Sequence, residues 1–357
     1  MNRILLVCCS AFLCLGILDL ASPFEPSAAQ TIQPKATPSP SPKIDDPDEV
    51  IKVDTELVNL NVRVVDRNNR PVNGLTQSDF KIFEDNQPQR IEFFSKSEVP
   101  TNYALVIDNS GSLRAQLEKV IEAGKIIVNT NKPDDETSII RFVSRDKITI
   151  EQAFTANKLD LNDALDNLFI EGGQTAIIDA VYLAAEQVDN YEKTRGSDDR
   201  KRRALVIVSD GEDRDSYYNE AQLFELLRET DVQIYAIGFV GDLDKEKGFI
   251  SKSPQGKAKA FLERMATETG GKAYFPTSIN ELAGLATEIG SELRLQYSIG
   301  YIPSNDKSDG SFRNIKVAIS DGPNNQKRIA VTRSGRKADN GEAPKLLAPA
   351  QSVKNPQ

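Results

Sequence analysis

The sequence predicts an α/β protein: a doubly wound, mostly parallel sheet with helices on both faces, and a small β-sandwich built from the amino- and carboxyl-terminal flanks. Three observations lead there. Between residues 99 and 295, short apolar runs alternate with stretches of helical period, the pattern of repeated strand–helix units. Two of those runs are apolar throughout, as strands buried on both faces are, and end in a carboxylate: Tyr103 to Ile107 before Asp108, and Ala204 to Val208 before Ser209 and Asp210. Outside these limits the pattern changes to period two, with Val58, Leu60, Val62 and Val64 set against polar neighbours.

The chain has 357 residues, enough for one large or two modest domains. Residues 1–29 read as a signal peptide: Arg3 precedes an apolar run from Ile4 to Leu18, and Ser27-Ala28-Ala29 offers small residues for cleavage before Gln30. The run is short for a membrane span, so no span is expected in the mature chain, an uncleaved anchor being the alternative because Asp19 breaks the end of the run. Cys8, Cys9 and Cys14 are the chain's 3 cysteines and all lie in this segment, which leaves the mature protein without thiol or disulfide. No small residue precedes any of them, which argues against lipid attachment. The expected location is exported, periplasmic or secreted.

Residues 30–50 are rich in proline and poor in apolar side chains, as an extended linker is. Residues 51–98 form an amino-terminal β region, with strands at 58–64, 79–84 and 90–95 and turns at Arg67-Asn68-Asn69-Arg70-Pro71 and Asp85-Asn86. Within residues 99–295, helices are expected at 113–130, 158–168, 175–191, 220–230, 257–269 and 279–293. Strands intervene at 138–143, 148–153, 204–209, 233–238 and 272–275, and the pair around Ser144-Arg145-Asp146-Lys147 makes an antiparallel edge. Residues 296–335 form a carboxyl-terminal β region, with 313–319 and 326–332 expected to make a hairpin around Asp321-Gly322-Pro323. Neither β region has strands enough to stand alone, so the two should pair into one sandwich. Residues 336–357 read as a disordered tail.

Charge and composition exclude several functions. The net charge is −9, from 44 basic and 53 acidic residues; setting aside 1–29 removes one base and two acids and leaves −8, which speaks against nucleic acid as a partner. Histidine is absent, so there is no Ser-His-Asp triad and no imidazole-bound zinc. What remains is a set of oxygens at strand ends. Asp108, Ser110 and Ser112 alternate on a loop that Gly111 lets turn tightly, Thr175 follows Gly172-Gly173-Gln174, and Asp210 closes the second buried strand. Hard cations such as Mg²⁺ take such ligands. Each position also has a plainer reading: Ser110, Ser112 and Thr175 as helix caps, and Asp210-Gly211 as a strand-end turn.

Taken in order, Asp108-x-Ser110-x-Ser112, Thr175 and Asp210 resemble the metal-ion-dependent adhesion site (MIDAS) of the von Willebrand factor type A family. Gly74-Leu75-Thr76-Gln77-Ser78-Asp79-Phe80 with Phe83-Glu84-Asp85 is similar to the opening of bacterial exported proteins whose A-type domain carries a β extension. Leu295-Gln296-Tyr297-Ser298-Ile299-Gly300-Tyr301 resembles their closing strand. The resemblance implies a divalent cation, Mg²⁺ or else Mn²⁺ or Ca²⁺, with Ser110, Ser112 and Thr175 as direct ligands and Asp108 and Asp210 acting through water or as switching ligands. It also implies a protein partner whose Asp or Glu completes the coordination, and no enzymatic activity.

Two other readings compete. One is a metal-assisted hydrolase with Ser110 or Asp108 as nucleophile, disfavoured because there is no histidine base and no Gly-x-Ser-x-Gly elbow. The other is an envelope scaffold with a purely structural ion. Near the site, Asp179 is placed to orient the serine loop or to stabilise its own helix, and Glu212, Asp213 and Asp215 read as a solvated loop. Tyr217 and Tyr218 are either a partner anchor or half-buried packing, and the basic cluster from Lys193 to Arg203 is a solvated loop.

Overall fold

The computed structural model describes residues 57–193, 201–242 and 253–339. The expected signal peptide and linker, and most of the expected tail, lie outside the described residues, as does 194–200 of the basic cluster. The amino-terminal strands are β1 (Val58–Asp66), β2 (Phe80–Glu84), β3 (Gln87–Gln89) and β4 (Ile91–Ser95). The α/β part runs β5 (Thr101–Asp108), α1 (Leu117–Asn129), β6 (Glu136–Phe142), β7 (Ile148–Thr155), α2 (Lys158–Asp166), α3 (Ile177–Lys193) and β8 (Arg202–Ser209). It continues with α4 (Glu220–Glu229), β9 (Val232–Gly238), α5 (Pro254–Thr269), β10 (Lys272–Tyr274) and α6 (Leu282–Glu292). Then come β11 (Tyr297–Tyr301), β12 (Phe312–Ile319), β13 (Arg328–Val331) and β14 (Gly335–Lys337).

The six-stranded sheet has the order β10-β9-β8-β5-β6-β7, parallel except for the antiparallel edge β7. Every residue of β5 is buried, because helices cover both faces. One face packs Val106 and Ile207 under α3, α4 and α5, with Ala184, Phe224 and Leu262 among the contacts. The other packs Leu105 and Val206 under α1, α2 and α6, with Ile127, Leu165 and Ile289. From β5 the chain moves outward through β6 to β7, then returns to β5's other side as β8 and moves outward to β9 and β10. The carboxyl ends of β5 and β8 therefore lie at the point where the winding reverses, where open α/β sheets leave a crevice.

The flanks do pair. β1 runs antiparallel to β11, and β2 antiparallel to β12, giving two four-stranded sheets, β13-β1-β11-β4 and β14-β12-β2-β3. Leu60, Val62, Ile82, Ile299 and Tyr301 fill the space between them. The sandwich is tied to the α/β part by a buried ion pair between Arg63 and Glu292 at 3.2 Å. Arg202, at the start of β8, donates to the carbonyls of Arg294 at 2.8 Å and Gln296 at 2.9 Å, holding the segment between α6 and β11.

Three expectations need correction. β12 and β13 do not form a hairpin: they lie in different sheets, separated by a 3-10 turn in which Asn324 and Asn325 take positive φ. That turn carries the chain across the sandwich instead of reversing it within one sheet. Likewise the strand expected at 90–95 is β4, but it does not return along β2; a further strand that was not expected, β3, does. The Asp85-Asn86 turn, with φ of 48° and 65°, pairs β3 with β2, and after Arg90 the chain crosses to pair with β11. The tail does not begin at residue 336, since β14 pairs with β12 and Arg336 is buried against Glu84 at 2.9 Å. A cation that satisfies a buried carboxylate keeps this strand in the fold.

Candidate functional site

Register brings the first two acids together. Ile107 stands opposite Val208 in the β5–β8 ladder, so Asp108 is level with Ser209, and the Ser209 hydroxyl donates to Asp108 Oδ2 at 2.7 Å. Asp108 Oδ1 accepts from the Ser110 backbone N–H at 2.9 Å, which turns the chain sharply after β5. The Ser110 and Ser112 hydroxyls then lie 2.8 Å apart. Ser110 stands at the N-cap of a short 3-10 turn, Gly111–Leu113, yet its side chain makes no capping bond. The expected helix start at residue 113 is displaced to Leu117 by this turn.

Thr175 is fixed through its backbone. Its carbonyl accepts from the N–H groups of Arg214 at 2.8 Å and Asp215 at 3.2 Å, and the next residue, Ala176, donates to Val143 at the end of β6. The loop that delivers it is pinned to the serine loop by Asn109. The carbonyl of Asn109 accepts from Glu171 N–H at 2.9 Å, and its amide donates to the Phe169 carbonyl at 2.8 Å. Gly173 lets this loop press on the end of β6, for a Cβ there would lie 2.6 Å from the Val143 side chain. Asp210 Oδ1 accepts from Glu212 N–H at 3.0 Å, in a turn that Gly211 enters with φ of 80°.

The structure thus gathers the strand ends carrying Asp108 and Asp210, the serine loop, and the Thr175 loop tied to both. Asp108, Ser110, Thr175 and Asp210 are all buried, while Ser112 faces solvent. Two oxygens have no partner among the described residues, the Thr175 hydroxyl and the second oxygen of Asp210, while the Ser110 hydroxyl is shared between Ser112 and the Asp108 carboxylate. Thr175 does not cap α3 either. The Ile178 N–H is taken by Asp213 at 3.2 Å and the Asp179 N–H by the Ser216 hydroxyl at 3.1 Å.

Electrostatics sharpen the picture. Burial pushes the Asp108 carboxyl up to about 6, and neighbouring Asp210 pushes it the same way, against the hydrogen bonds from Ser110 and Ser209. No Lys or Arg pairs with either acid among the described residues. Two close acids without a basic partner, set beside the hydroxyls of Ser110, Ser112 and Thr175, are chemistry that a hard divalent cation fits. Among the described residues no group of three or more His, Cys, Asp or Glu could hold an ion. The donor set here has two acids and three hydroxyls.

Several neighbours play parts the sequence left open or hid. Asp179 does not reach the serine loop; its carboxylate accepts from the N–H groups of Tyr217 at 2.8 Å and Tyr218 at 2.9 Å and so fixes the loop after Asp210. Asp213 is used in the same loop, accepting from Ser216 at 2.5 Å as well as from Ile178. Tyr218 is packed, its ring stacked on Tyr182 at 3.8 Å, whereas Tyr217 is 76% exposed. Ser209 could have been found as a hydroxyl at the mouth of an apolar strand. Phe169 and Asn109 carried no signal beyond their proximity to the motifs.

Residues 102–288 match the von Willebrand factor type A domain, and the chain belongs to that family. An uncharacterized protein of Synechocystis sp. is 35% identical over 115 residues, a match spanning 32% of this chain and 26% of that protein's length. Among solved structures, von Willebrand factor type A from Catenulispora acidiphila covers 72% of this chain and 73% of its own at 12% identity, with a TM-score of 0.44. Proximal thread matrix protein 1 from the mussel byssus, with a zinc-occupied MIDAS motif, covers 55% and 48% at 18% identity and 0.43. BatB from Bacteroides thetaiotaomicron covers 54% and 98% at 16% identity and 0.40. Likenesses this loose add no argument, and membership stands on the match of residues 102–288.

Proposed function

We propose that this chain is an exported, non-enzymatic binding protein that holds one divalent cation, Mg²⁺ in the first place, and through it grips a carboxylate of a protein partner. Asp108, Ser110, Ser112, Thr175 and Asp210 would hold the ion. The observation that carries the reading is the pairing of two buried acids, with no Lys or Arg partner among the described residues, with the hydroxyls of Ser110, Ser112 and Thr175. Hydroxyl ligands do not neutralise a divalent ion, so a cation bound this way retains affinity for an outside acid. When bound, the ion supplies Lewis acidity; the chain's own residues orient the ligands and keep the floor of the site dry.

Export is supported by the charged, apolar and small-residue order of residues 1–29 and by the confinement of cysteine to that segment. Among the described residues no helix is long and apolar enough to cross a membrane. A non-enzymatic role is supported by the absence of histidine, which leaves no imidazole base beside the serines. Calorimetric titration of the metal-free protein with Mg²⁺ and Mn²⁺ tests the reading: one site is expected in the native chain, lost in Asp108→Ala and weakened in Ser110→Ala. Equal metal binding by native protein and Asp108→Ala would overturn it.

A further inference from the structure

We infer that the partner segment carries a large apolar or aromatic side chain close to its acid, and that Phe169 and Tyr217 are the two surfaces that receive it. This rests on the reading of the site given above and names the class of partner: an acidic peptide segment with an apolar neighbour.

Exposed apolar side chains scattered singly are ordinary. These two are placed differently, because each sits on a loop that delivers a proposed ligand. Phe169 opens the loop leading to Thr175, and Tyr217 closes the loop leading from Asp210. Their exposures are 53% and 76%, and neither belongs to any of the three cores. Both are held from beneath. The Phe169 ring lies on the Arg141 guanidinium at 4.6 Å, and its carbonyl is bound by Asn109, the residue next to Asp108. Arg141 is in turn fixed by Glu151 and Glu171, each at 2.7 Å. The Tyr217 ring stands edge-on against Tyr218 at 5.3 Å, which is stacked on Tyr182 of α3, and the Tyr217 backbone is bound by Asp179. A ring that already rests on one neighbour has few torsions left to order on contact, which is what makes exposed aromatics effective anchors.

Charge selects an acidic occupant. The rim's own acids are engaged internally: Glu171 by Arg141 and Lys147, Asp213 by backbone and hydroxyl donors, and Asp215 by Arg145 at 3.9 Å. Arg114, exposed on the turn after Ser112, has no carboxylate partner among the described residues. A segment bearing an extra acid finds an open cation there and no unengaged acid among these three to repel it.

The test is selection from a phage-displayed library of random linear peptides on the immobilised full chain with Mg²⁺, eluted with chelator. The expected pool is enriched in Asp or Glu with an aromatic or large aliphatic residue within a few positions. The double variant Phe169→Ala, Tyr217→Ala should keep the native Mn²⁺-induced shift in melting temperature and the enrichment in acid, lose the apolar preference, and bind the best native-selected peptide about tenfold more weakly or worse. An acidic pool without apolar bias, or a bias unchanged in the double variant, would overturn this inference and leave the metal reading standing. A chelator-eluted pool without acid would overturn both. The native pool decides the question even if the double variant folds poorly.

Discussion

The buried Asp108 carboxylate should weaken the metal-free protein, and replacing it with asparagine should make that form more stable. Its carboxyl is raised from 3.8 to about 6, first by burial and then by Asp210. Above that range the folded protein must hold an anion its surroundings disfavour, at a cost of about 3 kcal/mol relative to the unfolded chain. The sign follows from proton counting: between 3.8 and about 6 the folded state binds more protons than the unfolded one, so this group's contribution to stability falls as pH rises through that window. Asparagine has the same shape and no charge. Its oxygen can still accept from the Ser110 N–H, and its amide can donate to the Ser209 hydroxyl, which need only turn. Asp108→Asn should thus stabilise the metal-free protein above the window by roughly 1–3 kcal/mol, with little difference below it. Urea unfolding in chelator on either side of the window measures this. In saturating Mg²⁺ the order should reverse, since only the native protein gains an ion. A variant less stable than the native chain in chelator above the window, or a difference that ignores pH, would refute the reasoning.

Adding Mg²⁺ at about a hundred times its dissociation constant should raise the native protein's unfolding free energy by about 2.7 kcal/mol, read from denaturant midpoints with and without chelator. Thr175→Ala should change metal-free stability by less than about 1 kcal/mol, because its hydroxyl caps no helix, and Ser110→Ala should cost about 1–3 kcal/mol because its hydroxyl bonds the Asp108 carboxylate, yet each should shrink the Mg²⁺-induced gain. In the sandwich, Arg336→Leu should cost about 3–5 kcal/mol in chemical unfolding, since it takes the cation from buried Glu84 and leaves it the Tyr301 hydroxyl at 2.5 Å among the described residues, and the Mg²⁺-induced gain should be unaffected.

Much of the α/β architecture was legible because it depends on local pattern. Runs such as Tyr103 to Ile107 are apolar on both sides of the strand, and that is readable without knowing what covers them. Polar residues at the ends of such strands marked the crevice for the same reason. The sandwich was legible only in outline: period two says which face is buried but not which sheet a strand joins. Hence the separation of β12 from β13, set by the positive φ of Asn324 and Asn325, was hidden. Long-range polar pairing was hidden too. Arg336 and Glu84 are distant in sequence, and a strand ended by such a pair has the composition of a tail. Within the site, the motif residues were readable but their supports were not. Asn109 acts through backbone geometry and Phe169 through its seat on Arg141, neither of which leaves a spacing to recognise.

Anomalous diffraction from crystals grown with Mn²⁺ addresses the central claim most directly. One strong peak is expected within coordination distance of the Ser110 and Ser112 hydroxyls, between the carboxylates of Asp108 and Asp210 and facing Thr175. A peak elsewhere, or none in crystals whose protein binds Mn²⁺ in solution, would contradict it.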